Sequence, residues 1–243
     1  MLRPKSAMLL AAGLGRRMLP LTQDRPKALV EVAGLPLIDW ALERLERFGI
    51  DHAVANLHAF APLLEAHLRR RWRGRLDLSH EPTLLDTGGG IRKCLPMLGH
   101  DPFFAINADT IWLDGAVPAL ERMAESFDPE RMDALLLCAP VSAAIGYGGS
   151  GDFLMAPDGR LKRRPEREQA PFVFASVQLL HPRLFEGAPD GPFSMNLLFD
   201  RAIAAGRFYG IRHEAEWFEV GTAAAVAAAQ QVLDALGFRK QAA

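Results

Sequence analysis

The chain has 243 residues, 28 Lys and Arg against 29 Asp and Glu for a formal net charge of −1, and is 49% hydrophobic and 23% charged. This is an ordinary balance for a globular protein with a buried core, and it excludes a whole-protein field that would recruit nucleic acid or an acidic membrane. No run approaches the roughly 20 apolar residues that span a bilayer, and Arg16-Arg17 stand where a secretory leader would not carry them, so a cytoplasmic protein is expected.

Residues 7–11 form a strand-length apolar run that Gly13 and Gly15 break. Further strand candidates are 53–57, 76–80 and 103–107. Between them, 37–48 and 62–72 place Ile38, Leu42 and Leu45, and Leu64 and Leu68, at helical spacing, and 88–98 forms a third helix. Such alternation implies right-handed βαβ units. The expected fold is α/β and Rossmann-like, with a mixed, mostly parallel central sheet and helices on both faces. Ligands of these sheets lie at the carboxyl ends of the strands, where Gly13, Asn56, Glu81 and Asp109 would share one edge. From about Asp133 strands dominate (134–138, 172–180, 208–211), His181-Pro182 closes one of them, and an Ala-rich helix over 222–236 precedes a tail expected to fray. No repeat or linker divides the chain, so one domain over 1–243 is expected.

The loop after the first strand reads Leu10-Ala11-Ala12-Gly13-Leu14-Gly15-Arg16-Arg17-Met18-Leu19-Pro20-Leu21-Thr22, with Pro26-Lys27 beyond. Glycines after a strand let backbone N–H groups turn toward an anion, and Arg16 and Lys27 add positive charge for a phosphate chain. The two glycines alone would suit a tight turn equally well. Met18 stands where a dinucleotide fingerprint needs its third Gly, and no Gly-Lys-Ser/Thr tripeptide makes a P-loop; with Lys27, this disfavours a nicotinamide-dependent oxidoreductase.

Asp109, in Asn107-Ala108-Asp109, ends a buried strand, where it suits either a Mg²⁺ ligand for a triphosphate or a loop cap. In Glu81 to Gly90, the glycines 88–90 open a helix at roughly 1 kcal/mol each relative to Ala, which close approach of a ligand would explain. Asn56 either borders that pocket or caps a helix, and Asp152 either meets sugar hydroxyls or makes a turn. Cys94 and Cys138 lack metal or redox spacing and read as buried thiols. Arg69 to Arg73 read as cations at a helix end rather than a nucleic-acid patch.

The stretch Leu10 to Thr22 with Pro26-Lys27 resembles the signature of the sugar-1-phosphate nucleotidyltransferases, L-A-A-G-x-G-x-R-M-x-P-L-T followed by P-K. That resemblance implies transfer of a nucleotidyl group from an NTP to a sugar 1-phosphate, with Mg²⁺ as cofactor and pyrophosphate released. It assigns catalysis to Arg16, Lys27 and Asp109, and nucleotide binding to Ala11, Ala12, Gly13, Gly15, Arg16, Lys27, Asn56, Glu81, Thr87 and Gly88. The sugar phosphate would meet Asn107, Asp152, Arg164, Ser176 and Glu219, and the metal Asp109 and Glu219. Residues 1–132 would then be the nucleotide half, and 133–243 the sugar-phosphate half with its closing helix.

Three departures bear on that assignment. Glu219, in Trp217-Phe218-Glu219-Val220-Gly221-Thr222, holds a place where the family has Asp. Arg164 stands for a Lys, and Ser176 for a Gly. Among compact members the segments 87–91, 151–153 and 181–187 resemble the branch that joins UTP to N-acetylmuramate 1-phosphate in cell-wall (peptidoglycan) recycling. A mannose-1-phosphate or heptose-1-phosphate guanylyltransferase is the alternative, and a catalytically weak nucleotide-sugar sensor is an alternative that Glu219 admits. A monomer or weak homodimer is expected.

Overall fold

The computed structural model describes residues 2–238. The first half comprises β1 (Ser6–Leu10), β2 (Glu31–Val32), β3 (Leu35–Pro36), α1 (Leu37–Phe48), β4 (His52–Leu57), α2 (Ala61–Arg71) and β5 (Arg75–His80). Then come α3 (Asp86–Leu98), β6 (Phe103–Asn107), β7 (Thr110–Trp112), α4 (Ala119–Ser126), β8 (Ala134–Pro140) and β9 (Ala144–Ile145). The chain continues through β10 (Phe153–Met155), β11 (Leu161–Arg163), β12 (Phe172–Leu180), α5 (Asn196–Ala204), β13 (Phe208–Arg212), β14 (Trp217–Glu219) and α6 (Ala223–Ala235).

Strands β5, β4, β1 and β6 lie side by side and parallel. β12 follows antiparallel to β6, and its other edge pairs antiparallel with β8, which β13 joins in parallel. β1, β4, β5, β6, β8 and β13 therefore share one direction, and β12 opposes them. The sheet is mixed and mostly parallel, as the alternation implies. Register puts Leu10 beside both Asn56 and Asn107, and Leu57 beside His80. The carboxyl ends of four strands thus meet at one edge, where a parallel sheet leaves room for a ligand.

Alternation along the strands sends side chains into two cores. Leu9, Phe104 and Ile106 pack on one face with Ile38 and Leu42 of α1, Leu64 and Leu68 of α2, and Met123 of α4. Met8, Phe103 and Ala105 pack on the other with Ile91 and Cys94 of α3 and Phe199 of α5. A third cluster joins Leu233 and Ala229 of α6 to Phe218, Val32 and Met18, so α6 braces the loop after β1. α1 illustrates the local logic: Ile38, Leu42 and Leu45 are fully buried, and Gly49 ends the helix at φ 92° with its N–H donated to the Leu45 and Glu46 carbonyls.

The helices α4 and α5 and the short antiparallel pair β10 and β11 were not expected from sequence. α4 has only eight residues, and α5 lies among glycines and prolines that read as loop. The tail is held through Phe238, whose N–H donates to the Leu233 carbonyl (2.9 Å) and whose ring lies 6.1 Å from that of Trp40; residues 239–243 lie outside the described residues. Both cysteines are buried, and burial pushes the Cys94 thiol up to about 11 and raises Cys138 also. Arg69 pairs with Glu65, and Arg71 with Glu46, in keeping with a structural role for that cationic run. Among the described residues no helix is long and apolar enough to cross a membrane.

The packing of this chain by itself requires the glycines of α3. A Cβ on Gly89 would lie 2.3 Å from the Gly191 carbonyl oxygen, and one on Gly88 2.3 Å from a ring carbon of Phe193. The N–H groups of Gly88 and Gly89 both donate to the Phe193 carbonyl (2.9 and 3.1 Å), which caps the helix. Helix propensity alone would make Gly89→Ala stabilising by about 1 kcal/mol. Because the obstructing atom is backbone, Gly89→Ala is expected instead to lower the melting temperature. A rise would show that the 187–195 segment does not press on α3.

Candidate active site

The loop after β1 is shaped by Gly15, at φ 62°, whose carbonyl accepts the Met18 N–H and the Thr22 hydroxyl (both 2.9 Å). A Cβ there would stand 3.0 Å from Lys27 Cβ, so only Gly lets Lys27 pass so close. Gly13 differs: nothing lies within 4 Å of where its Cβ would be, which leaves bare backbone beside open space. That space is a cleft of about 340 Å³ lined by Ala11, Gly13, Gly15, Arg16, Lys27 and Asp109, with Arg17 also on its wall. A second lobe of about 380 Å³ is lined by Ala12, Asn56, Leu84, Thr87 and Asn107 and shares Leu10, Gly13 and Asp109 with the first.

Lys27 and Asp109 are the centre of this cleft. Lys27 sits on a single 3-10 turn, Lys27–Leu29, and its Nζ donates directly to Asp109 Oδ2 across 82 residues of sequence. Arg16 and Arg17 are exposed, and neither has an ion-pair partner among the described residues. The cleft thus offers one neutralised pair and two uncompensated guanidinium groups, a surplus of positive charge suited to a polyphosphate.

The wall of the second lobe is a buried polar chain. Ala11 N–H donates to Asn56 Oδ1 (2.7 Å), Asn56 Nδ2 donates to Glu81 Oε1 (2.7 Å), and Leu85 N–H donates to Glu81 Oε2 (3.0 Å). Glu81 is only 4% exposed, and both of its oxygens are engaged. Asn56 and Glu81, expected to bind the nucleotide, therefore spend these groups on holding the strand ends together. Asn56 makes no helix cap; Phe60 occupies that place at the start of α2. The N–H of Gly88 is likewise taken by Phe193, and Thr87 Oγ1 accepts the Met195 N–H (3.0 Å). Leu84 and Asp86, which sequence reading did not single out, line the lobe beside Asn56, Glu81 and Thr87.

On the other side, β12 bulges between Phe174 and Gln178, and Ser176 there adopts φ 63°. The Ala175 carbonyl is fixed by the Thr110 hydroxyl and Trp217 Nε1 (both 3.1 Å), and Ser176 Oγ accepts from Asn107 Nδ2 (3.1 Å). Antiparallel pairing of β14 with β7 sets Glu219 opposite Thr110, one residue from Asp109. The Glu219 carboxylate lies 3.2 Å from where a Cβ on Gly221 would stand, and Gly221 lines the cleft. Asp152 Oδ2 accepts the Phe174 N–H (2.9 Å). Arg164, expected to offer a fork to phosphate, uses Nε on the Gly151 carbonyl (3.0 Å) and a terminal nitrogen on that of Glu168 (2.8 Å). It ties a loop, a role that the Arg163-Arg164-Pro165 spacing could not disclose.

Arg17 is the residue that sequence reading passed over although the signal was present. The arginine of the signature stands directly before Met18, which is Arg17, while Arg16 fills its variable place. As for a metal, no group of three or more His, Cys, Asp or Glu side chains gathers among the described residues. Asp109 lines both lobes, and Glu219 reaches toward the first through Gly221; oxygen donors of this kind suit a hard cation that takes its remaining oxygens from phosphate and water.

The chain as a whole is matched in known proteins. The MobA-like NTP transferase domain matches residues 7–185. The chain is 45% identical over 232 residues to the N-acetylmuramate alpha-1-phosphate uridylyltransferase of Caulobacter vibrioides, covering 93% of this chain and 96% of that protein. The protein of the same name from Neisseria meningitidis is 32% identical, over 94% and 98% of the two chains. A solved UDP-glucose pyrophosphorylase complexed with UDP-glucose shares the fold at a TM-score of 0.79 and 17% identity, over 96% of this chain and 99% of that one. The chain belongs to the MobA-like NTP transferase family.

Proposed function

We propose that this protein transfers the uridylyl group of UTP to N-acetylmuramate 1-phosphate, releasing pyrophosphate and forming the UDP-sugar. The observation that carries the reading is the Lys27–Asp109 pair on the floor of a cleft walled by Gly13, Arg16 and Arg17. The acceptor and base follow the Caulobacter relative, at 45% identity along nearly the whole of both chains.

The chemistry asks little of acid–base groups. A sugar phosphate is already a nucleophile near neutral pH, so catalysis is in-line positioning together with neutralisation of charge. Arg16 and Arg17 at the cleft wall would take the outgoing pyrophosphate, and the bare backbone at Gly13 would let the phosphate chain lie close. Lys27 would exchange its carboxylate partner for the α-phosphate as substrate enters. Magnesium, held by Asp109 and Glu219, would supply further neutralisation of the reacting phosphates. Pairing of Glu219 with Thr110, next to Asp109 in the chain, supports a share for Glu219 in that task despite its extra methylene.

The test is pyrophosphate release measured for UTP, GTP, dTTP and CTP against the 1-phosphates of N-acetylmuramate, glucosamine, mannose and heptose. UTP with N-acetylmuramate 1-phosphate is expected to be fastest. GTP with mannose or heptose 1-phosphate giving the highest rate would establish guanylyl transfer instead, and binding without turnover in every pair would leave a sensor. With the active pair, Asp109→Ala is expected to lower kcat by roughly 10²–10³-fold, as loss of a preorganised charge does, while leaving the melting temperature close to that of the wild type. Chelation with EDTA is expected to abolish turnover and added Mg²⁺ to restore it; full activity in EDTA would remove the metal from the account. Arg17→Ala is expected to cost more in kcat than Arg16→Ala, and the reverse order would return the signature's role to Arg16.

A further inference from the structure

Between β9 and β10 the chain runs through Gly146-Tyr147-Gly148-Gly149-Ser150-Gly151, a glycine-rich loop beside the residues read above as meeting the sugar phosphate. Such a loop should be loose, yet it is tied at several points. Gly146, at φ 78°, is so close to β14 that a Cβ would lie 2.9 Å from the Glu219 carbonyl oxygen. Ala170 N–H donates to the Ser150 carbonyl (2.8 Å), and Arg164 Nε donates to that of Gly151. The loop's own side chain makes the remaining tie. The Tyr147 hydroxyl accepts the Gly151 N–H (3.1 Å), and its ring packs against Trp217 at 6.1 Å between centroids. The loop folds around this phenol so tightly that a Cβ on Gly149 would stand 2.4 Å from the hydroxyl oxygen.

The surroundings of Tyr147 are those of the acceptor side. Gly151, whose N–H the phenol holds, precedes Asp152, and Trp217 heads the strand that ends in Glu219. Burial, and next the Asp152 carboxylate, hold the phenol above its ordinary range, with Glu219 adding to the effect, so it stays a neutral hydroxyl. With one lone pair occupied by the Gly151 N–H, its proton remains available to an acceptor atom.

We propose that Tyr147 is a positioning residue for the acceptor: by seating on Trp217 and gripping the Gly151 N–H, it fixes the glycine loop so that Asp152 and Glu219 face the incoming sugar phosphate. This rests on the reading of that side as the acceptor side. Tyr147→Phe keeps the ring on Trp217 and removes only the grip. Gly149→Ala keeps the hydroxyl but pushes it from its seat.

The test uses the full chain with UTP and N-acetylmuramate 1-phosphate, or with whichever pair the survey finds active. Both variants are expected to raise the acceptor KM about tenfold while the UTP KM changes less than twofold. Hydrogen exchange of residues 148–151 is expected to quicken in Tyr147→Phe at an unchanged melting temperature. An unaltered acceptor KM in an enzyme that turns over normally, or equal rises in both KM values, would overturn the inference while leaving the function intact. A wild-type chain inactive with every pair would overturn the function and this inference with it.

Discussion

The end of β1 is pinned by a buried hydrogen-bonded chain from Glu81 through Asn56 to the Ala11 N–H, and the cleft depends on that pin. Three adjacent parallel strands end along this line, and their backbone groups would otherwise turn to water. A carboxylate in such a place is tolerable only when fully satisfied, and here Asn56 and the Leu85 N–H occupy both oxygens. With β1 fixed, the direction in which Gly13 leaves the sheet is fixed, and so is the open face of the loop. Gly90 shows how closely the chain is fitted: a Cβ there would lie 2.8 Å from Asn56 Nδ2 and 3.0 Å from Glu81 Oε1.

A division of labour follows. Residues whose polar atoms are spent inward set the shape, and residues whose charges remain free or exchangeable would do the chemistry. Asn56, Glu81, Arg164 and the β12 bulge around Ser176 belong to the first kind, while Arg16, Arg17, Lys27, Asp109 and Glu219 belong to the second. Preorganisation of this sort matters for phosphoryl-type transfers, where there is little covalent work for side chains and much to gain from fixed charge. The Lys27–Asp109 pair bridges the two kinds. At rest the two groups neutralise each other at the junction of the lobes, and substrate phosphate together with a cation would replace each partner by a better one.

Sequence made the sheet legible because hydrophobic spacing is set by the same periodicity that builds β1, β4, β5, β6 and the helices α1 to α3. The strand-end positions of Gly13, Asn56, Glu81 and Asp109 followed from that alone. What a linear reading could not supply was the partner of each polar atom. The glycines of α3 looked like room for a ligand, and the reason for them lies a hundred residues away at Gly191 and Phe193. Arg164 looked like a phosphate fork, and its nitrogens are taken by carbonyls of its own loop. Tyr147 carried no signal at all, since its meaning comes from Trp217 and Gly151 meeting it in space. Short helices such as α4 fell below the length at which periodicity speaks.

The central claim is that an oxygen of the acceptor phosphate displaces pyrophosphate at the α-phosphorus of the nucleotide. Phosphorus NMR of the product formed from acceptor labelled with ¹⁸O on its phosphate tests it most directly. The account predicts label on the β-phosphorus of the nucleotide sugar and in the bridge to the α-phosphorus, with none in the pyrophosphate. Label in pyrophosphate, or an unlabelled bridge, would contradict it.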